Sequence, residues 1–169
     1  MRWLLALFCL SFVTVSQATA STVVTLDGKV IEKVLVLKSA HQLQLVNDGK
    51  PLRTYRISLG KHPKGAKLME GDKRTPEGIY WVDWRKVSDR FNLAMHISYP
   101  NVADSVRSRR EGVEPGGMIM IHGTPDTLDY PEQLFHSLDW TDGCIAMRNI
   151  DMREVWGLVP DGTMIEIRP

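Results

Sequence analysis

Cysteine is scarce in this chain. Its 169 residues include two, Cys9 and Cys144. Cys9 lies in an apolar N-terminal segment that we predict to be removed, which leaves Cys144 as the single thiol of the mature chain. Because oxidising compartments pair cysteines, a single exported thiol either forms a bond between two molecules or is used chemically. The polar residues Thr141-Asp142-Gly143 just before Cys144 favour chemical use.

An excess of charge of one sign is also lacking. The chain has 21 Lys and Arg against 20 Asp and Glu, a net charge of +1, and removal of Arg2 with the N-terminal segment makes the mature chain formally neutral. Binding of nucleic acid or of an anionic membrane needs a clustered basic excess. The one basic cluster, at 107–110, is followed directly by Glu111 and Glu114, so we interpret it as a solvated face. The sequence therefore predicts no nucleic-acid partner.

Long apolar runs are confined to the N-terminus. Arg2 is followed by an apolar stretch over 3–15 and then by Ala18-Thr19-Ala20, a small-x-small cleavage signal. This pattern predicts a secretory signal peptide over residues 1–20 and export to the periplasm. No later run approaches the roughly 20 apolar residues that span a bilayer, so we predict no membrane span.

Residues 21–169 are predicted to form one domain that consists mainly of strands. Alternating apolar residues predict strands near 34–39, 79–84, 93–98, 118–122 and 164–168. A β-hairpin is predicted to join 42–46 to 53–59 through Asp48-Gly49, because both residue types tolerate positive φ.

Short helices and one long loop complete the predicted domain. Helices are predicted over 101–110, over 130–138 and from an N-cap at Asn149 onward, where core residues recur at helical spacing: Met152, Val155, Trp156 and Val159. Residues 60–78 are rich in Gly, Lys and Pro and are predicted to form a long loop. This loop is either a substrate lid between hinges at Gly60 and Gly78 or plain surface, and the flanking glycines favour the lid. The fold class is therefore mainly β with short helices, an α+β domain.

The chemistry that a lone thiol needs points to a histidine partner. Free cysteine, with a pKa of about 8.5, is mostly protonated at neutral pH, and an imidazole activates it by taking the proton. Of the five histidines, His122 is the best candidate, since it ends an apolar strand and precedes a turn at Gly123. We predict Cys144 as nucleophile and His122 as proton acceptor and donor. Gly143 would supply its backbone amide, with that of Cys144, to a developing oxyanion.

Asp142 complicates this picture, because a carboxylate two residues from a thiol raises the pKa of the thiol. It would orient an imidazole or hold a substrate ammonium group, or else cap its own turn. Cys144 could instead be inert and pack as a small buried hydrophobe.

His122 and Asp129 have the spacing of one zinc-peptidase motif, but two ligands are too few for a zinc site and the H-x-H motif of that class is absent. We predict neither a metal nor a cofactor.

The motifs His122-Gly123-Thr124 and Thr141-Asp142-Gly143-Cys144, continuing Ile-Ala-Met-Arg-Asn to Asn149, resemble those of YkuD-type L,D-transpeptidases. The family pattern is His-Gly, a variable spacer, Ser/Thr-His-Gly-Cys and an Asn a few residues on. The chain is most similar to the branch reading D-W-T-D-G-C-I-A, which it also resembles at 58–60, 71–78, 96–101 and 158–163. Two residues depart from the common pattern: Asp142 stands in place of histidine, and Ala146 in place of an arginine that Arg148 would replace.

The resemblance implies a YkuD-like β-sandwich catalytic domain that acts on peptidoglycan stem peptides. The cysteine attacks the carbonyl of the third residue, usually meso-diaminopimelate, and expels the terminal D-alanine. An amine then resolves the acyl-enzyme, which gives a cross-link, an attached outer-membrane lipoprotein or an exchanged D-amino acid. Thr141, Asp142, Arg148 and Gly123 are the predicted substrate-binding residues. Carbapenems are the inhibitors that the resemblance implies.

Other functions stay open at this point. Water as acceptor would make the same thiol an L,D-carboxypeptidase or an amidase that frees a lipoprotein from the wall. A non-catalytic wall-binding module would keep the fold with an inert Cys144. Sortases fit less well, because their Thr-Leu-x-Thr-Cys signature is missing. Papain-like proteases place their histidine after the cysteine, and no histidine follows Cys144.

Overall fold

The structure is a computed structural model that describes residues 25–125 and 135–169. The predicted signal peptide, Asp129 and most of the helix predicted over 130–138 lie outside these residues.

The described residues form mostly strands, with two short helices. The strands are β1 (Thr25–Leu26), β2 (Lys29–Val30), β3 (Lys33–Leu37), β4 (Gln42–Asn47), β5 (Lys50–Arg56), β6 (Gly78–Ser88), β7 (Asn92–Ile97), β8 (Met120–His122), β9 (Ile145–Ala146) and β10 (Met164–Arg168). The helices are α1 (Val102–Glu111) and α2 (Asn149–Leu158). This composition confirms the predicted fold class.

One eight-stranded sheet, in the order β5-β4-β3-β10-β6-β7-β8-β9, contains all strands except the small β1–β2 pair. Its 11-residue strand β6 joins two halves: residues 78–81 pair with β10, and residues 82–88 pair with β7. The register between β6 and β7 shifts between Val82 and Trp84, so Asp83 is an extra residue on β6. Such a bulge bends a strand and re-aims its side chains.

The predicted hairpin is confirmed as β4 and β5, although its second strand spans 50–56 and not the predicted 53–59. Leu43 pairs with Tyr55, and both are buried. Asp48 and Gly49 between the strands have φ values of 49° and 69°, as the favoured two-residue turn requires. Alternate side chains of β3, Val34 and Val36, point into the same core.

The two outer strands of the large sheet are linked, so the sheet curls back on itself. The amide of Ser58, just after β5, donates to the carbonyl of Ala146 at 2.8 Å, and the amide of Ala146 donates to that of Ser58 at 2.9 Å. Gly60 and Thr141 form a further bridge along this seam. The segment that carries Cys144 is therefore held on both sides.

Both helices lie at the predicted positions, but their N-termini are capped differently. Asn101 caps α1 through a capping box with Asp104. The N-cap of α2 is Arg148, one residue before the predicted Asn149, and it has no side-chain cap bond. The predicted core stripe of α2 is confirmed: Met152, Val155 and Val159 are buried, with Trp156 packed at the edge of the core.

The loop over 60–78 contains no regular helix, and buried cations tie it down. Nζ of Lys38, a residue with 3% exposure, donates to the carbonyls of Gly65 and Thr75 and to Oε1 of Glu77, at 2.6, 2.9 and 2.8 Å. Lys67 pairs with Asp72 inside the loop at 2.8 Å. The loop is therefore anchored to the sheet at both ends.

Candidate active site

Parallel pairing of β8 with β9 brings the predicted nucleophile and base together. Ile121 pairs with Ile145 and His122 with Ala146, and the amide of Met147 donates to the carbonyl of His122 at 3.0 Å. Continuing this register by one residue sets Cys144 opposite Met120. Paired residues point to one face of a sheet, so Cys144 and His122 share a face. A strand spacing of ~4.8 Å and a rise of ~3.3 Å per residue place their Cα atoms about 8 Å apart.

The His122 side chain lies in an aromatic enclosure. It is 2% exposed, its ring stacks on Phe91 with centroids 4.3 Å apart, and Trp140 meets it edge-on at 5.8 Å. Its Nδ1 lies 2.6 Å from the carbonyl oxygen of Gly123. Since a carbonyl can only accept, Nδ1 carries the hydrogen, and Nε2 is left with a lone pair that can take a proton.

The pKa of His122 is lowered to about 4, mainly by burial; the hydrogen bond to Gly123 raises it, and the nearby Arg90 guanidinium lowers it. The imidazole is therefore neutral at pH 7. Burial is the largest cause because an enclosed site disfavours the charged form.

Cys144 is half-buried, and its thiol donates to the carbonyl of Met118 at 3.7 Å. Burial raises the pKa of the thiol, and the Asp142 carboxylate raises it further. The backbone amide of Met120 and the Lys67 ammonium act against this rise. At pH 7 the Cys144 thiol and the His122 imidazole are therefore both neutral.

The turn before Cys144 needs glycine and is braced by Thr141. Gly143 has φ 132°, and a Cβ there would lie 2.8 Å from the carbonyl oxygen of Arg74. Oγ1 of Thr141 donates to the carbonyl of Cys144 at 2.7 Å and accepts from the amide of Gly143 at 3.1 Å. The Gly143 amide is engaged by this hydroxyl, so its predicted donation to an oxyanion stays a prediction.

Gly123 is required by close packing next to His122. A Cβ at this position would lie 2.1 Å from Oδ1 of Asn149 and 2.9 Å from the carbonyl of Phe91. The same Asn149 oxygen accepts from the amide of Thr124 at 2.9 Å. Asn149 thereby holds the turn after His122 against the start of α2.

The two charged residues predicted to bind substrate, Asp142 and Arg148, form ion pairs with residues other than Cys144 and His122. Asp142 is exposed and pairs with Lys61 at 3.2 Å. It borders a cavity of about 310 Å³ that Lys67, Glu70, Lys73 and Ile119 also line. The Arg148 guanidinium binds the Asp151 carboxylate through two contacts, at 2.6 and 2.8 Å.

Similarity to known proteins agrees with this geometry. Residues 31–167 match the model of the YkuD family, described as the L,D-transpeptidase catalytic domain. The chain belongs to this family.

Relatives of this YkuD domain include a provisionally named L,D-transpeptidase and a cell-shape protein. The YafK protein of Escherichia coli (strain K12), whose name assigns it provisionally to the L,D-transpeptidases, is 30% identical over 127 residues, which are 74% of this chain and 42% of that protein. The helical cell shape determining protein Pgp2 of Campylobacter jejuni superposes with a TM-score of 0.60 at 28% identity, over 80% of this chain and 46% of Pgp2.

A more distant likeness supports the fold alone. An L,D-transpeptidase from Mycobacterium smegmatis has a TM-score of 0.53 at 15% identity, over 80% of this chain and 58% of that one. The chain spans less than half the length of YafK and of Pgp2, so the activities of whole relatives do not transfer to it directly.

Three features of this YkuD site escaped the sequence-based prediction. Phe91 and Trp140 enclose the imidazole, the Met118 carbonyl receives the thiol hydrogen, and Asn149 clamps the His-Gly turn. The family pattern includes an Asn at position 149, but interpreting Asn149 as a helix cap does not predict this contact. Phe91 carried no signal, since it is distant in sequence from both motifs.

A metal-ligand cluster and a membrane-spanning helix are both absent from the described residues. Within 25–125 and 135–169, no three His, Cys, Asp or Glu side chains come together as metal ligands would. No helix in the same residues is long and apolar enough to cross a membrane.

Proposed function

We propose that this protein is an exported, periplasmic L,D-transpeptidase that remodels peptidoglycan with Cys144 as its nucleophile. The observation that carries the proposal is the β8–β9 pairing, which sets a half-buried thiol and a buried imidazole on one face of adjacent strands. Membership of the YkuD family supports it. Export rests on the N-terminal signal pattern of residues 1–20.

In the proposed acylation, the thiol proton moves to Nε2 of His122 as sulfur attacks the carbonyl carbon of the third stem-peptide residue. The imidazolium is stabilised through its Nδ1 hydrogen bond to Gly123. The Cys144 amide is the proposed donor to the oxyanion, joined by that of Gly143 if Thr141 releases it. Collapse of the intermediate breaks the bond to D-alanine, whose amine takes the proton from His122.

In the proposed second step, an acceptor amine attacks the thioester. It gives a proton to His122, and the Cys144 thiolate leaves and is reprotonated by the imidazolium. The acceptor would be a diaminopimelate amine, the lysine of an outer-membrane lipoprotein or a D-amino acid. Water in its place would release the tripeptide, so the hydrolase alternative uses the same thiol.

The cavity beside Asp142 is the proposed site for the diaminopimelate side chain. It is lined by the cations Lys67 and Lys73 and by the anions Glu70 and Asp142. That side chain ends in an ammonium and a carboxyl group, which these charges complement. Arg148 is a weaker candidate for a carboxylate, because Asp151 already occupies its guanidinium.

A mass-spectrometric assay tests the proposal. The purified protein is incubated with tetrapeptide muropeptides and a D-amino acid, beside a Cys144→Ala control. We expect loss of D-alanine and an exchanged or cross-linked product, both absent from the control. Tripeptide alone would favour the carboxypeptidase, and release of lipoprotein from sacculi the amidase.

Thiol labelling separates these enzymes from a non-catalytic wall-binding module. If Cys144 is catalytic, replacing His122 by alanine changes the rate at which a thiol reagent labels it. Slow labelling that is unaffected by His122→Ala, with no change in any muropeptide, would contradict the proposal.

A further inference from the structure

We infer that this protein holds the glycan strand of its substrate on two tryptophans of β6, one stem-peptide length away from Cys144. The residues concerned are Trp81, Asp83, Trp84 and His96, which we call the tryptophan platform. The inference rests on the proposed function, because it takes peptidoglycan as the substrate.

The platform and Cys144 lie on the same face of the sheet. Trp84 pairs with His96 and His96 with Met120, and Cys144 lies opposite Met120 in the continued register of β8 and β9. Paired residues point to one face, so these four side chains form a row across β6, β7, β8 and β9. Met95, the neighbour of His96, is fully buried in the core, so this row lies on the opposite face, where His96 and Met120 each keep 9% exposure.

The bulge in β6 brings both tryptophans to that face. In a regular strand, residues 81 and 84 would point in opposite directions. Val82 is buried in the core and Trp81 is 47% exposed, so Trp81 faces outward. The extra residue Asp83 then turns Trp84 outward as well. Along the strand the two indoles are about 7–10 Å apart, a distance that neighbouring sugars of one chain can cover.

The His96 imidazole covers one face of the Trp84 ring and fixes the orientation of that ring. The rings of Trp84 and His96 are stacked, with centroids 4.7 Å apart and planes inclined by 7°. Nδ1 of His96 lies 2.7 Å from Oδ1 of Asp83, which fixes the orientation of the imidazole. The ammonium of Lys86 lies 5.9 Å from the Trp84 ring, on a long and mobile side chain that a ligand can displace. Isolated exposed hydrophobic residues have no such support.

These groups suit a sugar chain. The C–H face of a pyranose packs on an indole ring, while its hydroxyl and acetamido groups need polar partners at the edge of the ring. The Asp83 side chain is 40% exposed, so its carboxylate can accept from such groups while it still holds His96.

The distance to the thiol matches the substrate. Trp84 and Cys144 are separated by three strand spacings, about 14 Å. The attacked carbonyl belongs to the third stem residue, and three extended residues span about 11 Å. The lactyl group that joins the peptide to the sugar extends this reach. A stem peptide lying across β8 and β7 would therefore deliver its sugar to the platform.

The test compares two substrates that differ only in the sugar: a disaccharide-tetrapeptide and the same tetrapeptide without sugar. Because stacking contacts of an aromatic ring contribute roughly two- to tenfold, we expect Trp84→Ala to lower kcat/KM by up to about tenfold for the disaccharide substrate, mainly through KM. The rate on the free tetrapeptide should stay unchanged. Trp81→Ala should act in the same direction, Trp84→Phe should retain part of the effect, and Val102→Ala, at an exposed position in α1, should have none.

The ratio of the two rates controls for misfolding, since both are measured on one preparation. Equal losses on both substrates, or no loss on either, would overturn the inference. If the wild-type protein turns over neither substrate, the proposed function fails and the platform is judged by binding alone. Glycan strands stripped of peptide should then retain the wild-type protein and not the Trp81→Ala/Trp84→Ala double variant; equal retention would overturn the inference.

Discussion

Replacing Lys38 by methionine should test how firmly loop 60–78 is tied to the sheet. Methionine keeps an apolar stem in this buried position but removes the donor to two carbonyls and to Glu77. Removing one partner of a buried ion pair costs about 3–5 kcal/mol. Glu77 keeps 19% exposure and can regain water, so we expect a loss of about 3 kcal/mol, at the lower end of that range.

Lys33→Met is the matched control. Lys33 pairs with Glu166 at a similar distance, 2.6 Å, but its side chain is 24% exposed. This pair is only partly buried, and Glu166 keeps Arg168 as a second cation at 2.6 Å, so we expect a loss of about 1 kcal/mol. Urea unfolding of both variants gives the two free energies of unfolding. Equal losses for Lys38→Met and Lys33→Met would refute the view that Lys38 is a buried anchor.

The anchor should also affect the site. Thr75, whose carbonyl binds Lys38, accepts the amide of Gly60 through its hydroxyl at 3.1 Å, and the neighbouring Arg74 carbonyl packs on Gly143. We therefore expect Lys38→Met to turn over substrate more slowly even where the variant is fully folded. Lys33→Met should not share this loss.

Three further predictions concern Cys144, His122 and the residues next to them. Gly123→Ala should cost about 1–3 kcal/mol in a urea titration, because its Cβ would overlap Asn149; an unchanged midpoint would contradict the packing. The pKa of His122 is about 4 in the fold and ~6.5 when unfolded, so as the pH falls the unfolded state takes up the proton before the folded state does. Stability should therefore fall by about 3 kcal/mol as the pH drops from 7 to 4, and His122→Gln should flatten that pH dependence. Asp142→Asn removes a carboxylate that raises the pKa of Cys144, so iodoacetamide should label the thiol faster at pH 7; slower labelling would refute this electrostatic effect.

Local patterns in the sequence predict much of this fold. Asp48-Gly49 between two alternating segments identifies the first hairpin, and the 3.6-residue spacing of Met152, Val155 and Val159 identifies α2. The candidate pair was predictable because His122 ends an apolar strand and Cys144 follows a glycine turn. Each of these signals lies within about ten residues.

Features that depend on distant contacts were not predictable in the same way. Lys38 has the appearance of a surface residue at the end of a strand, and its burial arises from a loop some 30 residues further on. The bulge at Asp83 leaves no mark in the alternation of β6, since it follows from pairing with β7. Asn149 suggested a helix cap because that is its common local role, and its actual partner is the amide of Thr124.

The neutral state of the resting pair has a consequence for chemical durability. Oxidants attack a thiolate far more readily than a thiol, and the first product, a sulfenic acid, leads on to irreversible forms. A raised pKa keeps the Cys144 thiol protonated at neutral pH. For a protein that we propose to work outside the cytoplasm, the protonated thiol would be oxidised more slowly than a thiolate at the same position.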